Sequence, residues 1–121
     1  MRIALLGYGK MGKVIEKIAI SRGHEVTLKI DKESAPCDIT TVDVAINFST
    51  PDSAVQNIRL ALEKGVPVIS GTTGWLSEME SIKTLCNTQN GAFIYASNFS
   101  LGVNIFFELN KSLAKMINNL T

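Results

Sequence analysis

Six consecutive residues, Gly7-Tyr8-Gly9-Lys10-Met11-Gly12, have the G-x-G-x-x-G spacing of a loop that can hold a diphosphate. The first glycine of such a loop permits a tight turn, and the second lets the backbone approach a pyrophosphate. The third lets the following helix pack closely on the preceding strand. The run directly follows the apolar stretch Ile3-Ala4-Leu5-Leu6 and opens a segment with helical patterning. Unpaired N–H groups and the positive dipole end of that helix would face the phosphate oxygens. Asp31 stands about 20 positions past Gly12, where an acid ordinarily meets the adenosine ribose hydroxyls. Lys32 follows it, and Lys10 lies inside the glycine run. Either lysine has the charge to pair with a 2′-phosphate, and either is equally at home as a solvated loop charge. These residues point to a nicotinamide or flavin dinucleotide, without naming a reaction.

Three later runs also have chemical potential: Asn47-Phe48-Ser49-Thr50-Pro51, Gly71-Thr72-Thr73-Gly74-Trp75, and 97–104, which reads Ser-Asn-Phe-Ser-Leu-Gly-Val-Asn. Glycine and threonine present backbone amides and a hydroxyl to a carboxamide or carboxylate. Phe48 and Phe99 offer flat apolar walls to a ring. The plainer readings are that the 71–74 run is only a turn and Phe99 only core. Trp75 suits either a cover over the cleft or packing against the sheet edge. The two cysteines, Cys37 and Cys86, lie far apart with no Cys-x-x-Cys or Cys/His cluster, so free thiols and no metal site are expected. His24, the one histidine, reads as a plain surface residue.

The elements that must position these runs follow from periodicity. Strand patterns cover 3–6, 26–30, 42–46, 66–70 and 92–96, and helical patterns alternate with them. From 10 to 22, Met11, Val14, Ile15, Ile18 and Ala19 share one helical face, and Gly23 supplies a stop. Thr50-Pro51 predicts a helix start with a capping hydroxyl. That helix turns Ala54, Val55, Ile58, Ala61 and Leu62 inward and ends at Gly65. Ser77 with Glu80 predicts a capping box for a helix to about 88. A last helix is expected over 103–118, and a coil over 32–41. The pattern predicts an α/β fold, a three-layer Rossmann-type parallel sheet with flanking helices, as one domain over 1–121. The loops after each strand then share the carboxyl edge of the sheet, where ligands bind in such folds.

Composition narrows the class. The chain has 121 residues, 45% hydrophobic and 19% charged, with a formal net charge of +1, which is ordinary globular make-up. That charge balance leaves no electrostatic footprint for nucleic acid or an anionic membrane. The apolar run after Met1-Arg2 is too short for a signal peptide and no stretch approaches a membrane span, so a cytoplasmic protein is expected.

Taken together and in this order, the glycine run, the 71–74 run and the 97–104 run resemble dihydrodipicolinate reductase, a nicotinamide-dependent reductase family of lysine and diaminopimelate biosynthesis. The resemblance covers nearly the whole chain. It implies that Gly7, Tyr8, Gly9, Lys10, Met11 and Gly12 hold the pyrophosphate of NADH or NADPH, and that Asp31 and Lys32 meet the ribose and 2′-phosphate. It implies further that Gly71, Thr72 and Thr73 lie by the nicotinamide, with Thr73 also reaching substrate. Ala96, Ser97, Asn98 and Phe99 would contact the nicotinamide end, and Phe48 and Ser49 would flank the cofactor. The implied reaction is hydride transfer to a cyclic unsaturated dicarboxylic acid, and the implied full-length enzyme is a homo-oligomer. One departure is that family members often carry one more residue in the glycine loop, which blurs the position of Tyr8. The family's catalytic motif, a histidine pair followed by a lysine and Pro-Ser-Gly-Thr, is expected beyond position 121. These residues alone should therefore bind cofactor without turnover, and no catalytic residue is assigned among them. Another two-domain reductase of the aspartate or homoserine dehydrogenase type would explain the glycine run and Asp31. It would not explain the joint occurrence of the later runs. A non-catalytic NAD(H)-sensing module is the alternative of a different class.

Overall fold

A computed structural model describes residues 1–35 and 37–120; the expected coil therefore falls outside the described residues at Pro36, as does the end of the expected domain at Thr121. Five parallel strands form one sheet: β1 (Arg2–Leu6), β2 (Glu25–Ile30), β3 (Val44–Asn47), β4 (Val68–Ser70) and β5 (Phe93–Tyr95), in the spatial order β2-β1-β3-β4-β5. The helices are α1 (Lys10–Ser21), α2 (Pro51–Glu63), α3 (Met79–Thr88) and α4 (Leu101–Asn119). Short 3₁₀ turns occupy Ile39–Thr41 and Leu76–Glu78. This is the expected Rossmann-type α/β fold.

Alternation along the strands sorts the core into two layers. Ile3 and Leu5 face α1 and pack with Ala19, while Ala4, Leu6, Ala45 and Val68 face α2 and α3 and pack with Ala54, Ile58, Leu62 and Ile82. The central strand β1 is covered on both faces, so its side chains from Ile3 to Leu6 are all buried. Edge strand β2 buries none of its residues fully.

Helix ends explain several departures from the expected boundaries. At the end of α2, the Gly65 N–H donates to the Leu62 carbonyl (3.0 Å) and Val66 N–H to Ala61 (2.9 Å), a Schellman stop. Val66 is thereby drawn into the helix terminus, and β4 starts only at Val68. Similarly Val42 closes the Ile39–Thr41 turn, so β3 starts at Val44. The Ser77–Glu80 capping box does not form: Leu76–Glu78 winds as a 3₁₀ turn that runs straight into α3, and no side chain caps the helix. The Thr50 hydroxyl does not cap α2 either, donating instead to Ser53 Oγ (3.1 Å). The last helix starts two residues early because Ser100 Oγ accepts from the Val103 N–H.

The inward face of α1 is narrower than its apolar pattern. Gly12 and Ala19 are buried and Ile15 is half-buried, but Met11, Val14 and Ile18 remain exposed. The close approach of Gly12 to the turn below sets the helix rotation, which points those three side chains away from the sheet. α4 likewise buries none of its side chains among the described residues.

Candidate functional site

The strand order reverses direction at β1, whose successor in sequence lies on one side and β3 on the other. Loops leaving β1 and β3 therefore diverge, and the crevice between them is where ligands bind in open α/β sheets. A cleft of about 1220 Å³ opens there. Its walls include Gly7, Tyr8 and Gly9 from the first loop, Asp31 and Lys32 from the second, and Phe48, Ser49 and Thr50 from the third.

The three motif glycines differ in what constrains them. Gly7 has φ +96°, and a Cβ there would lie 2.3 Å from the Phe48 carbonyl oxygen. A Cβ on Gly12 would lie 2.7 Å from the Gly7 carbonyl oxygen. Both are thus enforced by internal packing. Gly9 has nothing within 4 Å of where its Cβ would stand, and it occupies the N-cap of α1 without any side-chain cap. The open space thus stands at the N-terminus of that helix. A cradle of this kind fits the pyrophosphate of a dinucleotide.

Tyr8 is anchored on the opposite side. Its hydroxyl donates to Glu16 of α1, whose other oxygen pairs with Lys29 of β2 at 2.5 Å. The Lys29 ammonium also stands 4.9 Å from the Tyr8 ring centroid. Lys29 and the Tyr8 hydroxyl hold the Glu16 carboxyl below the usual carboxylate range. The Glu16 carboxylate in turn raises both Lys29 and Tyr8 above their ordinary values.

At the β2 end, Asp31, Lys32 and Lys10 are all exposed. Asp31 Oδ1 accepts from the Lys32 N–H (2.8 Å), and the Asp31 N–H donates to Ser34 Oγ (2.7 Å). Asp31 and Lys32 therefore share one short turn at the cleft wall.

The loop of Gly71, Thr72 and Thr73 is split in its orientation. Thr72 is buried, its Oγ1 accepting from the Ser49 N–H (2.8 Å) and from Asn47 Nδ2 (3.3 Å). Thr73 is exposed. Trp75 is buried, donating from Nε1 to the Thr72 carbonyl (2.6 Å) and meeting Phe93 and Tyr95 edge-on, so it packs under the loop.

The segment after β5 has Ala96 half-buried and Ser97, Asn98 and Phe99 exposed. Asn98 Oδ1 accepts from the Ser100 N–H (2.8 Å), and Asn104 donates to the Asn98 and Ser100 carbonyls, both at 2.8 Å. Neither this segment nor Gly71–Thr73 lines the cleft that contains the glycine loop. They continue the same sheet edge, with the Gly71 N–H on the Asn47 carbonyl (3.0 Å) and Ala96 N–H on Ser70 (3.2 Å).

Sequence patterns singled out Asn47 only as part of the 47–51 run and gave no role to Asn57, a polar residue inside α2, or to Ser70, the last residue of β4. Asn47 and Ser70 are fully buried. His24, half-buried, meets the Met1 amino group through Nδ1 at 3.1 Å, at the amino end of the sheet and away from the cleft. Cys37 and Cys86 are free thiols. Among the described residues no cluster of His, Cys, Asp or Glu is placed to hold a metal ion, and no helix is long and apolar enough to cross a membrane.

Comparison with known proteins agrees with this geometry. A family profile described as dihydrodipicolinate reductase, N-terminus, matches residues 36–99. A 4-hydroxy-tetrahydrodipicolinate reductase of Christiangramia forsetii is 49% identical, covering 99% of this chain and 51% of the relative. One from Archaeoglobus fulgidus is 36% identical, covering 97% of this chain and 53% of the relative. The chain thus spans about half the length of these curated relatives. Among solved structures, a putative homoserine dehydrogenase from Archaeoglobus fulgidus superposes with a TM-score of 0.63 at 18% identity, over 78% of this chain and 42% of that one. At that identity the likeness is one of fold.

Proposed function

The chain belongs to the dihydrodipicolinate reductase family, and from that premise we propose that it is the part of such an enzyme that binds NADH or NADPH. The carrying observation is Gly9: its neighbours in the motif are glycine because the protein packs against them, whereas Gly9 faces open space at the helix N-terminus. Gly7 to Gly12 would hold the pyrophosphate, and Asp31 the adenosine ribose. Lys32, with Lys10, would meet a 2′-phosphate when NADPH is bound. Phe48 and Ser49 would flank the cofactor at the reversal of strand order, and Thr73 with Ala96 to Phe99 would meet its nicotinamide end.

When bound, the cofactor would supply a hydride, which the whole enzyme would deliver together with a proton to a cyclic unsaturated dicarboxylic acid to give tetrahydrodipicolinate. The residues of this chain would orient and shield; His24, the one histidine, lies at the opposite end of the sheet from the cleft. The 121 residues alone accordingly bind cofactor without turnover, and the whole enzyme is a homo-oligomer acting in the cytoplasm.

Calorimetric titration of the protein with NADPH and NADH tests the reading. Saturable heat with either cofactor is expected. No heat at millimolar cofactor would refute it.

A further inference from the structure

The carboxyl ends of β3 and β4 are joined by a buried polar cluster whose Asn47, Ser70 and Thr72 the cofactor reading leaves without a role. The side chain of Asn47 uses all of its hydrogen-bonding capacity. Nδ2 donates to Ser70 Oγ (3.0 Å) and Thr72 Oγ1 (3.3 Å), while Oδ1 accepts from Ser49 Oγ (2.9 Å) and Asn57 Nδ2 (3.3 Å). Thr72 Oγ1 also accepts the Ser49 backbone N–H at 2.8 Å. Among the described residues no buried side-chain polar atom is left without a partner. A fully satisfied network in a low-dielectric site is rigid and admits one arrangement.

Three loops are fixed relative to one another by this cluster. Ser49 and Phe48 belong to the β3 loop, Thr72 to the β4 loop, and the Phe48 carbonyl abuts Gly7 of the glycine loop. We infer that Asn47 and Thr72 are positioning residues that set the spacing between the glycine loop, Phe48 and Thr73, so that one cofactor can span them. This rests on the cofactor reading above. It reassigns Thr72 from a contact residue to one acting through Ser49 and Asn47, leaving Thr73 as the threonine of the loop that faces outward.

Hydroxyl partners make one substitution informative. Thr72→Ser keeps the hydroxyl that accepts from the Ser49 N–H and Asn47 Nδ2, whereas Thr72→Val keeps neither contact.

The test compares two probes in the same protein: NADPH, and 2′-phosphoadenosine diphosphoribose, which lacks the nicotinamide. Thr72→Val, which removes the hydroxyl shared by Ser49 and Asn47, should weaken NADPH about tenfold and the nicotinamide-free probe less than about twofold. Thr72→Ser should keep NADPH affinity within about threefold of the unmodified protein. If Thr72→Val does not fold, Ser70→Ala, which removes only the hydroxyl bonded to Asn47, should show the same split at about threefold. Unchanged NADPH affinity, or equal weakening of both probes, would overturn the positioning role of Asn47 and Thr72. Failure of the unmodified protein to bind either probe would instead overturn the cofactor reading on which it rests.

Discussion

The ring of Phe48 rests against the α-carbon of Gly71: a Cβ built on Gly71 would stand 2.2 Å from Phe48 Cε1 and 2.3 Å from Cζ. Two loops from neighbouring strands thus meet with no room for a methyl group between them. The contact explains a glycine that its own backbone does not require, since Gly71 has no positive φ. It also makes the two positions interdependent. Gly71→Ala should destabilise the protein by about 1–3 kcal/mol through overpacking. Adding Phe48→Leu should recover part of that cost, a coupling of about 0.5–3 kcal/mol in a denaturant double-mutant cycle. Strictly additive losses would show that the ring moves aside freely.

The motif glycines should separate fold from function. Gly12→Ala meets the Gly7 carbonyl and should cost about 1–3 kcal/mol in urea unfolding. The Cβ of Gly9→Val meets nothing within the protein, so the variant's stability should fall by no more than about 1 kcal/mol, the cost of valine at an N-cap. Its affinity for NADPH should nevertheless fall by tenfold or more, about 1.4 kcal/mol. Normal binding by Gly9→Val would place the pyrophosphate elsewhere.

Cofactor choice should be read at Lys32, beside Asp31 in one exposed turn. Lys32→Ala should weaken NADPH more than NADH, by about 1–3 kcal/mol for a charge-assisted phosphate contact. Equal weakening in parallel titrations removes Lys32 from the 2′-phosphate.

Thr73→Val changes an exposed hydroxyl, so thermal stability should hold within about 0.5 kcal/mol. In the full-length enzyme it should lower kcat/KM for the dicarboxylate more than it lowers cofactor affinity. A loss confined to cofactor affinity would argue against contact with substrate.

Acid should loosen the anchor of Tyr8. Glu16, hydrogen-bonded by Lys29 and by the Tyr8 hydroxyl, titrates below its ordinary range in the folded protein. A depressed carboxylate adds stability that is present above its unfolded pKa and is lost as pH falls through the folded value. Glu16→Gln should therefore be less stable than the unmodified protein at pH 7, with the gap closing below the usual glutamate range of about 4.3. Thermal melts across that range check it; a gap unchanged down to about pH 2 would show that the carboxylate contributes no pH-linked stability.

Much was legible in the chain because it is local. Strand and helix periodicities, the Gly23 and Gly65 stops, and the glycine run before a helix depend on residues within one turn or one strand of each other, and all five strands and four helices formed near their expected places. The joint occurrence of the 71–74 and 97–104 runs was likewise enough to indicate the family. Tertiary structure alone decided which way each side chain of those runs faces. Thr72 and Thr73 are adjacent and identical in type, yet one is buried and the other exposed, because only Thr72 stands within reach of Asn47 and Ser49 across the sheet. Met11, Val14 and Ile18 match the helical period of an inward face yet lie outside, because Gly12 must touch the Gly7 turn and that contact fixes the rotation of α1. Ser77 and Glu80 have the spacing of a cap, but the chain leaving the buried Trp75 winds a 3₁₀ turn through Ser77 and the cap never forms. In each instance the deciding contact joins residues that periodicity cannot relate, since it depends on distance in space and not on separation along the chain.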